Sequence, residues 1–198
     1  MPCYEFQGVS PVVDALSFIH PTASLIGDVI VAAGCYIGPG ASLRADFARI
    51  VIEEGSSVQD NATVHVSSEY DTVIQRGATI GHGAVIHGCE IGENCLIGIN
   101  SVVLDGAVLG AECLVGALSL ILHGMKVPER RLLIGSPARI VRTMSANEVT
   151  WRNDGDGAYQ LLTREALASF REVEPMRQRQ PKRESLRAPA RPVRPNQS

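Results

Sequence analysis

The sequence is poor in aromatic residues, which make up only 5% of its 198 positions although 45% are hydrophobic. A core of this composition is built from Val, Ile, Leu and Ala, and nineteen glycines indicate many tight turns. No apolar run approaches the ~20 residues that a membrane-spanning helix needs, so we expect no membrane partner. The length suits one domain with appendages.

Disulfide and secretion signals are also missing. Five cysteines are an odd number, which argues against a disulfide framework. The first five residues, Met1-Pro2-Cys3-Tyr4-Glu5, include neither the basic nor the apolar region of a signal peptide. We therefore expect a cytoplasmic protein in a reducing environment.

The net charge of −3 is unevenly distributed along the chain. Residues 175–198 contain seven basic residues and one acidic residue, a charge of +6, which leaves −9 on residues 1–174. An acidic body argues against nucleic acid as a partner.

A period of six residues dominates the middle of the chain. Large aliphatic residues recur every six positions, and a small residue follows most of them four positions later. Two steps are nine residues long, between Leu43 and Ile52 and between Val64 and Val73, which we interpret as three-residue insertions. The periodic positions, aliphatic except at Thr79, are Ile19, Leu25, Val31, Ile37, Leu43, Ile52, Val58, Val64, Val73, Thr79, Val85, Ile91, Ile97, Val103, Leu109, Val115 and Ile121.

This period is neither helical nor a simple alternation, and it is typical of a hexapeptide solenoid. Three flat sides of about six residues form one coil of about 18 residues. The sequence therefore predicts an all-β solenoid, a left-handed parallel β-helix of five to six coils. Cys35, Cys89, Cys95 and Cys113 occupy small-residue positions, so we expect them to pack in the core, with Cys95 and Cys113 stacked on adjacent coils.

The pattern divides the chain into five segments. We predict an N-terminal segment at 1–18, the β-helix at 19–124 and a connector at 125–144. A capping-box motif from Ser145 to Glu148 predicts a C-terminal helix over 145–174, weakened at Gly155 and Gly157, that packs back along the solenoid. Residues 175–198 form a basic, proline-rich tail that we expect to be disordered or loosely docked.

Three of the five histidines have related positions. His87 follows His65 by 22 residues, or 19 after the predicted insertion is removed, which is one coil plus one position. The two imidazoles therefore lie nearly above one another and could share one ion. His82 is almost one full side away, so it could reach only the ion of a neighbouring subunit in a three-fold assembly. Three nitrogen ligands with an open fourth position are typical of catalytic zinc, although the three could also be ordinary corner histidines without a metal.

Several motifs around these histidines resemble the γ-class carbonic anhydrase family. The resemblance is closest to its phenylacetate-degradation branch, the PaaY proteins, with the carnitine-operon CaiE proteins nearby. The motifs are Leu43-Arg44-Ala45-Asp46, Gln59-Asp60-Asn61, His65, Gly81-His82, Ile86-His87-Gly88-Cys89, Gly135-Ser136-Pro137-Ala138-Arg139, Trp151 with Tyr159, and Val173-Glu174-Pro175.

The resemblance implies a homotrimer with one metal per subunit interface, zinc or alternatively iron or cobalt. His65 and His87 would come from one subunit and His82 from the next. It further implies that Arg44 and Asp60 pair across the interface and that Gln59 lies beside the metal-bound water. Tyr159 would approach the site from the C-terminal helix.

The same resemblance predicts the activity. PaaY-type proteins are associated with hydrolysis of coenzyme A thioesters formed in phenylacetate breakdown, by metal-bound hydroxide. The best-known anhydrases use a glutamate directly after the Asp46 position and an acidic loop to move protons. Here Phe47 occupies the first position and the short 66–71 loop offers Glu69. We therefore expect a metal-dependent thioesterase rather than an efficient anhydrase.

Three alternatives remain open at the level of sequence. The chain could be a carbonic anhydrase, a hexapeptide acyltransferase with one histidine as base and no metal, or a non-catalytic assembly protein with a structural metal. Lys126, Arg130 and Arg131 could contact the CoA phosphates or be ordinary solvated charges.

Overall fold

The computed structural model describes residues 2–152 and 157–178. In these ranges the chain forms twenty short strands, one 3₁₀-helix and one α-helix. The strands are β1 Cys3–Tyr4, β2 Val12–Val13, β3 Phe18–Ile19, β4 Ser24–Val31, β5 Tyr36–Ile37, β6 Ser42–Ile52, β7 Ser57–Val58, β8 Thr63–His65, β9 Thr72–Ile74, β10 Thr79–Ile80, β11 Val85–His87, β12 Glu90–Ile91, β13 Leu96–Ile97, β14 Val102–Val103, β15 Val108–Leu109, β16 Leu114–Val115, β17 Leu120–Ile121, β18 Lys126–Val127, β19 Arg131–Gly135 and β20 Ala138–Thr143.

These strands stack into three parallel faces. Face 1 contains β1, the first halves of β4 and β6, and then β8, β11, β14 and β17. Face 2 contains β2, the second halves of β4 and β6, and then β9, β12, β15 and β18. Face 3 runs from β3 through β5, β7, β10, β13, β16 and β19, and it ends with the antiparallel strand β20. The result is a parallel β-solenoid of about seven turns, the left-handed β-helix of hexapeptide repeats.

The core is a set of aliphatic columns inside this solenoid. On face 1, one side chain per coil points inward, and every member of its column is fully or almost fully buried. The column consists of Leu25, Leu43, Val64, Ile86, Val103 and Ile121. Burial of each such side chain contributes roughly 1.5–3 kcal/mol to the free energy of folding. Because the core has few aromatic residues, every coil has to make this contribution.

The register differs from the predicted one in the middle of the solenoid. Ile74, Ile80 and Ile86 are the buried residues, whereas Val73, Thr79 and Val85, placed inside by the period of six, are only half-buried. The first insertion is three residues long as predicted, but the second is four, since Ile52 pairs with Ile74. The coil that follows is one residue shorter, because Ile74 pairs with Ile91. At each of these positions two adjacent residues both suit a strand, so the sequence does not show which side chain points inward. A shift of one residue exchanges the side chains that face the core with those that face outward.

The solenoid also extends beyond the predicted limits of 19 and 124. Residues before Ile19 form β1, β2 and β3, which pair with the next coil in parallel. The segment predicted as a connector contains β18, β19 and β20. The reason is visible in the sequence, because the period of six continues from Ile121 to Val127 and Leu133, both buried.

The C-terminal helix is shorter than the predicted span of 145–174. The capping box at Ser145 is formed, but it begins only the 3₁₀-helix Ala146–Glu148. The α-helix α1 spans Ala158–Ser169 and packs back on β3 and β5 of face 3, where the Phe170 ring lies 5.3 Å from that of Phe18. Gly155 and residues 179–198 of the predicted tail lie outside the described residues. Neither described helix is long and apolar enough to span a membrane.

The four core cysteines are buried as predicted. Burial raises the pKa of the Cys35 thiol to about 11 and that of Cys89 to about 12. Cys95 and Cys113 lie on adjacent coils, and each donates its S–H to a backbone carbonyl on the next coil at 3.1 Å. Cys35 and Cys89 fit a packing role, because a thiol that remains protonated is a poor nucleophile.

Candidate metal centre

Both insertions lie at one corner of the solenoid, between faces 1 and 2, which we call the histidine corner. In β6, residues 46–49 bulge outward opposite Asp28 of β4. One coil further along, residues 66–71 form a loop between β8 and β9. The next coil turns tightly at Gly88, which has a positive φ of 53°. At the histidine corner, two protruding coils are thus followed by a tight one.

His65 and His87 lie at this corner on adjacent coils. They are direct partners in the parallel pairing of β8 and β11, so their separation is one coil without the extra position that the sequence suggested. Nδ1 of His65 lies 3.0 Å from Nε2 of His87, and the ring centroids are 4.9 Å apart. The structure thus brings together two of the three predicted ligands.

Each of these rings is held by a carboxylate through its other nitrogen. Nε2 of His65 lies 2.8 Å from Oδ1 of Asp46, and Nδ1 of His87 lies 2.7 Å from Oδ1 of Asp105. Burial opposes ionisation of Asp46, but hydrogen bonds from His65 and Arg44 outweigh it and lower the pKa of this carboxyl. An ionised carboxylate keeps a proton on the facing ring nitrogen and leaves the opposite nitrogen as a lone-pair donor.

His82 lies at the corner between faces 3 and 1, five residues before His87. Five residues of extended chain span about 16 Å, so one chain cannot bring the two rings to one ion. Nδ1 of His82 lies 2.8 Å from Oδ2 of Asp60, and the His82 side chain is 45% exposed. Within the described part of a single chain, no group of three or more His, Cys, Asp or Glu side chains could hold a metal ion.

The other predicted site residues lie near His82 or near Asp46. Gln59 is buried beside Asp60, and the Tyr159 ring of α1 packs on that of Tyr36 at 5.3 Å. Burial raises the pKa of Tyr159 to about 12, with further contributions from the charges of Asp60 and Tyr36. In the single chain Arg44 pairs with Asp46 rather than Asp60. The pairing of Arg44 with Asp60 across an interface remains a prediction.

The three cationic residues considered for CoA have partners within the chain. Nζ of Lys126 donates to the Gly106 carbonyl at 2.9 Å, and Nη1 of Arg131 donates to the Glu129 carbonyl at 3.0 Å. Arg130 forms an ion pair with Glu129 at 2.5 Å.

The sequence interpretation missed the roles of Asp46 and Asp105. Asp105 follows His87 by 18 residues, the nominal length of one coil, and this spacing could have identified it. Asp46 precedes His65 by 19 residues, and its position in the bulge of β6 concealed the relation.

The repeats and the solenoid define this chain as a hexapeptide-repeat protein. Residues 71–98 and 88–123 match the family described as bacterial transferase hexapeptide (six repeats). The chain is 45% identical over 186 residues to the carnitine operon protein CaiE of Escherichia coli O81 (strain ED1a), covering 94% of this chain and 95% of that protein. It therefore belongs to the CaiE family of hexapeptide-repeat proteins. This supports the CaiE-like part of the resemblance, whereas the PaaY and γ-carbonic anhydrase part remains a prediction.

Solved structures agree with this assignment. A hexapeptide transferase family protein from Anaplasma phagocytophilum is 36% identical, with a TM-score of 0.78 over 82% of this chain and 96% of that one. A putative acetyltransferase from Bacillus cereus is 28% identical, with a TM-score of 0.75 over 84% of this chain and 92% of that one.

Proposed function

We propose that this protein is a metal-dependent hydrolase of acyl-CoA thioesters that holds one zinc ion at each subunit interface of a homotrimer. The observation behind this proposal is that His65, His82 and His87 each have one ring nitrogen on an aspartate. Metal-ligating histidines almost always donate their second N–H to a carboxylate, a carbonyl or water. Its recurrence at all three predicted ligands favours a metal role over that of ordinary corner histidines.

The distance between the two paired histidines fits zinc. Two nitrogen ligands on tetrahedral zinc, each about 2.0–2.1 Å from the metal, lie about 3.3 Å apart. Nδ1 of His65 and Nε2 of His87 are 3.0 Å apart. This separation, at which the two rings form a hydrogen bond in the single chain, is close to the one that a shared ion needs.

The third ligand would come from the next subunit, because His82 lies one face away. The corner that holds His82 continues on the next two coils as an exposed ridge. The coils are joined there by backbone hydrogen bonds, from the N–H of Asn100 to the His82 carbonyl and from the N–H of Leu118 to the Ile99 carbonyl. Ile99 and Leu118 are exposed, and Leu118 adopts a positive φ of 59°. Exposed apolar side chains and a strained leucine beside His82 favour a ridge that another copy covers.

The residues around this site have distinct roles in the proposed reaction. His65, His82 and His87 would hold the zinc ion, which would act as a Lewis acid and make hydroxide available at neutral pH. Asp46, Asp60 and Asp105 fix the orientation and tautomer of the three histidines. Tyr159, whose high pKa keeps its hydroxyl protonated, can donate a hydrogen bond to substrate. Hydrolysis adds water across the thioester: the carbonyl carbon gains oxygen, the C–S bond breaks, and the CoA thiol receives a proton.

The test is to measure turnover of a panel of aryl and alkyl CoA thioesters by zinc-, iron- and cobalt-loaded protein. His87→Ala serves as the control. We expect metal-dependent release of CoA thiol that His87→Ala abolishes. CO2 hydration is measured on the same preparations, and we expect it to be slow, because Phe47, 5.9 Å from the His65 ring, has no group that exchanges protons. Rapid CO2 hydration with no thioester turnover would favour the anhydrase alternative.

A hexapeptide acyltransferase is the second candidate, and the relatives described as transferases favour it. Such an enzyme would use one histidine as base and transfer the acyl group to an amine or alcohol. The two candidates differ in metal dependence. Acyl transfer to an added acceptor that is insensitive to chelators would support the transferase, whereas chelator-sensitive release of free acid would support the hydrolase.

A further inference from the structure

A cavity of about 370 Å³ adjoins the histidine corner. The N-terminal turn forms one side of it, where Phe6 and Val9 exchange backbone hydrogen bonds at 2.9 and 3.0 Å. The turn approaches the bulge of β6 closely because position 27 is glycine. A Cβ at Gly27 would lie 2.2 Å from the Ala45 carbonyl oxygen and 3.6 Å from Cβ of Phe6. The bulge at residues 46–49 forms the opposite side.

Apolar side chains line this cavity next to the paired histidines. Phe6, Val9 and Phe47 all line it and are all exposed, Phe47 to 66%. Phe47 also packs edge-on against His65, and Asp46, which lines the cavity, bonds the same ring. The cavity therefore shares a wall with the candidate metal centre, and its exposed phenyl groups offer a surface for an apolar ligand.

The charges of the lining, three aspartates and Arg49, disfavour one class of ligand. Asp28 is paired with Arg49 at 2.9 Å, and Asp46 is paired with Arg44 and His65. Oδ1 of Asp71 accepts only the backbone N–H of Arg49, at 2.8 Å, among the interactions of the described residues. One carboxylate thus has no cationic side chain against it, so a ligand with its own carboxylate would be repelled. The volume lies at the low end of the 300–1,000 Å³ of small-molecule sites, which suits one arm of a substrate.

We propose that this cavity is the acyl subsite, which accepts a compact, uncharged apolar acyl group and rejects an acyl group that ends in a carboxylate. This rests on the proposed function for its link to thioester chemistry. Phe6 and Phe47 supply the apolar contacts, and Asp71 supplies the discrimination against anions. None of the three is a candidate metal ligand.

Binding of inert substrate analogues tests the subsite independently of turnover. Calorimetry gives the Kd of two thioethers, S-butyl pantetheine and S-(3-carboxypropyl) pantetheine, for the wild type and for Phe6→Ala, Asp71→Asn and Val12→Ala. Val12 is an exposed apolar residue of the same N-terminal segment that does not line the cavity, so Val12→Ala is the matched control.

We expect the wild type to bind the butyl thioether at least about 10-fold more tightly than the carboxypropyl one. Phe6→Ala should weaken binding of the butyl thioether about 10-fold. Asp71→Asn should reduce the difference in affinity between the two thioethers, and Val12→Ala should leave both affinities unchanged. If Phe6→Ala fails to fold, Phe47→Leu replaces it with the same expected direction. Equal affinities for the two thioethers, or equal effects of Phe6→Ala and Val12→Ala, would overturn the proposal.

Turnover decides the proposed function separately. If the thioethers bind in the expected pattern but no thioester is hydrolysed, the subsite stands and the hydrolase proposal fails. If thioesters are hydrolysed but the thioethers do not bind in that pattern, the hydrolase proposal stands and the subsite proposal fails.

Discussion

Replacing Asp105 should weaken metal binding without unfolding the protein. Asp105 contacts His87 through a 2.7 Å hydrogen bond to Nδ1 and is itself partly exposed. Asp105→Asn keeps the size of the side chain but removes the charge that holds the imidazole in place. Loss of such a partner typically costs 10–100-fold in metal affinity. At about 1.4 kcal/mol per factor of ten, this corresponds to about 1.4–2.8 kcal/mol of binding free energy.

A second variant, Gly88→Ala, perturbs the Asp105 carboxylate through a change at the backbone. A Cβ at Gly88 would lie 2.2 Å from Oδ1 of Asp105, and the positive φ of Gly88 adds strain to any replacement. Gly88→Ala should therefore displace the carboxylate and lose metal affinity to a similar degree. Both variants perturb the same hydrogen bond by different means, so agreement between them would support that bond as the cause.

The assay is a competition titration of zinc against a chelator of known affinity. Asp14→Asn is the matched control, because Asp14 accepts the backbone N–H of Leu16 and contacts no histidine. We expect wild-type affinity for Asp14→Asn and 10–100-fold weaker binding for Asp105→Asn. Unchanged zinc affinity in Asp105→Asn, with the fold intact by circular dichroism, would refute the role given to this carboxylate.

Three further predictions follow from the structure. Ile86→Ala should cost about 2–5 kcal/mol in urea unfolding, because Ile86 is fully buried, whereas Val85→Ala on the same strand should cost less than about 1 kcal/mol; equal losses would contradict the observed register. The native protein should take up at most one iodoacetamide label at pH 8, on Cys3. Burial raises the pKa of Cys35 to about 11 and that of Cys89 to about 12, which keeps both as thiols, and Cys95 and Cys113 are inaccessible. Labelling of several cysteines before denaturation would contradict this prediction. Arg44→Gln and Asp60→Asn should each weaken the trimer in sedimentation equilibrium, with a double variant no weaker than the worse single one if they pair across the interface; additive losses would speak against the pair.

The period of six was sufficient to predict the solenoid, because a repeating aliphatic side chain in a narrow coil has few other packing solutions. It was not sufficient to fix the register. At Val73-Ile74, Thr79-Ile80 and Val85-Ile86, both members of each pair suit a strand. Only the pairing with Ile52, Val58 and Val64 decides which member of each pair is buried.

The candidate site was predictable to the extent that coil length relates residues. The spacing of His65 and His87 placed them on adjacent coils, and the four-residue insertion then brought them into direct register. Asp105 was missed because an aspartate one coil beyond a histidine has no motif of its own. The end of the solenoid was missed because Val127 and Leu133 continue the period after a turn-rich stretch.

The sharing of one ion between subunits is the central claim, and a mixed trimer tests it most directly. Chains with His65→Ala and chains with His82→Ala are co-expressed with different affinity tags, and trimers that contain both are isolated for metal analysis. In a cyclic trimer, one interface of each mixed assembly combines intact His65 and His87 with an intact His82. We predict about one zinc ion per mixed trimer and none in either parent trimer. Mixed trimers without zinc, or full occupancy in the His82→Ala parent, would contradict the shared site.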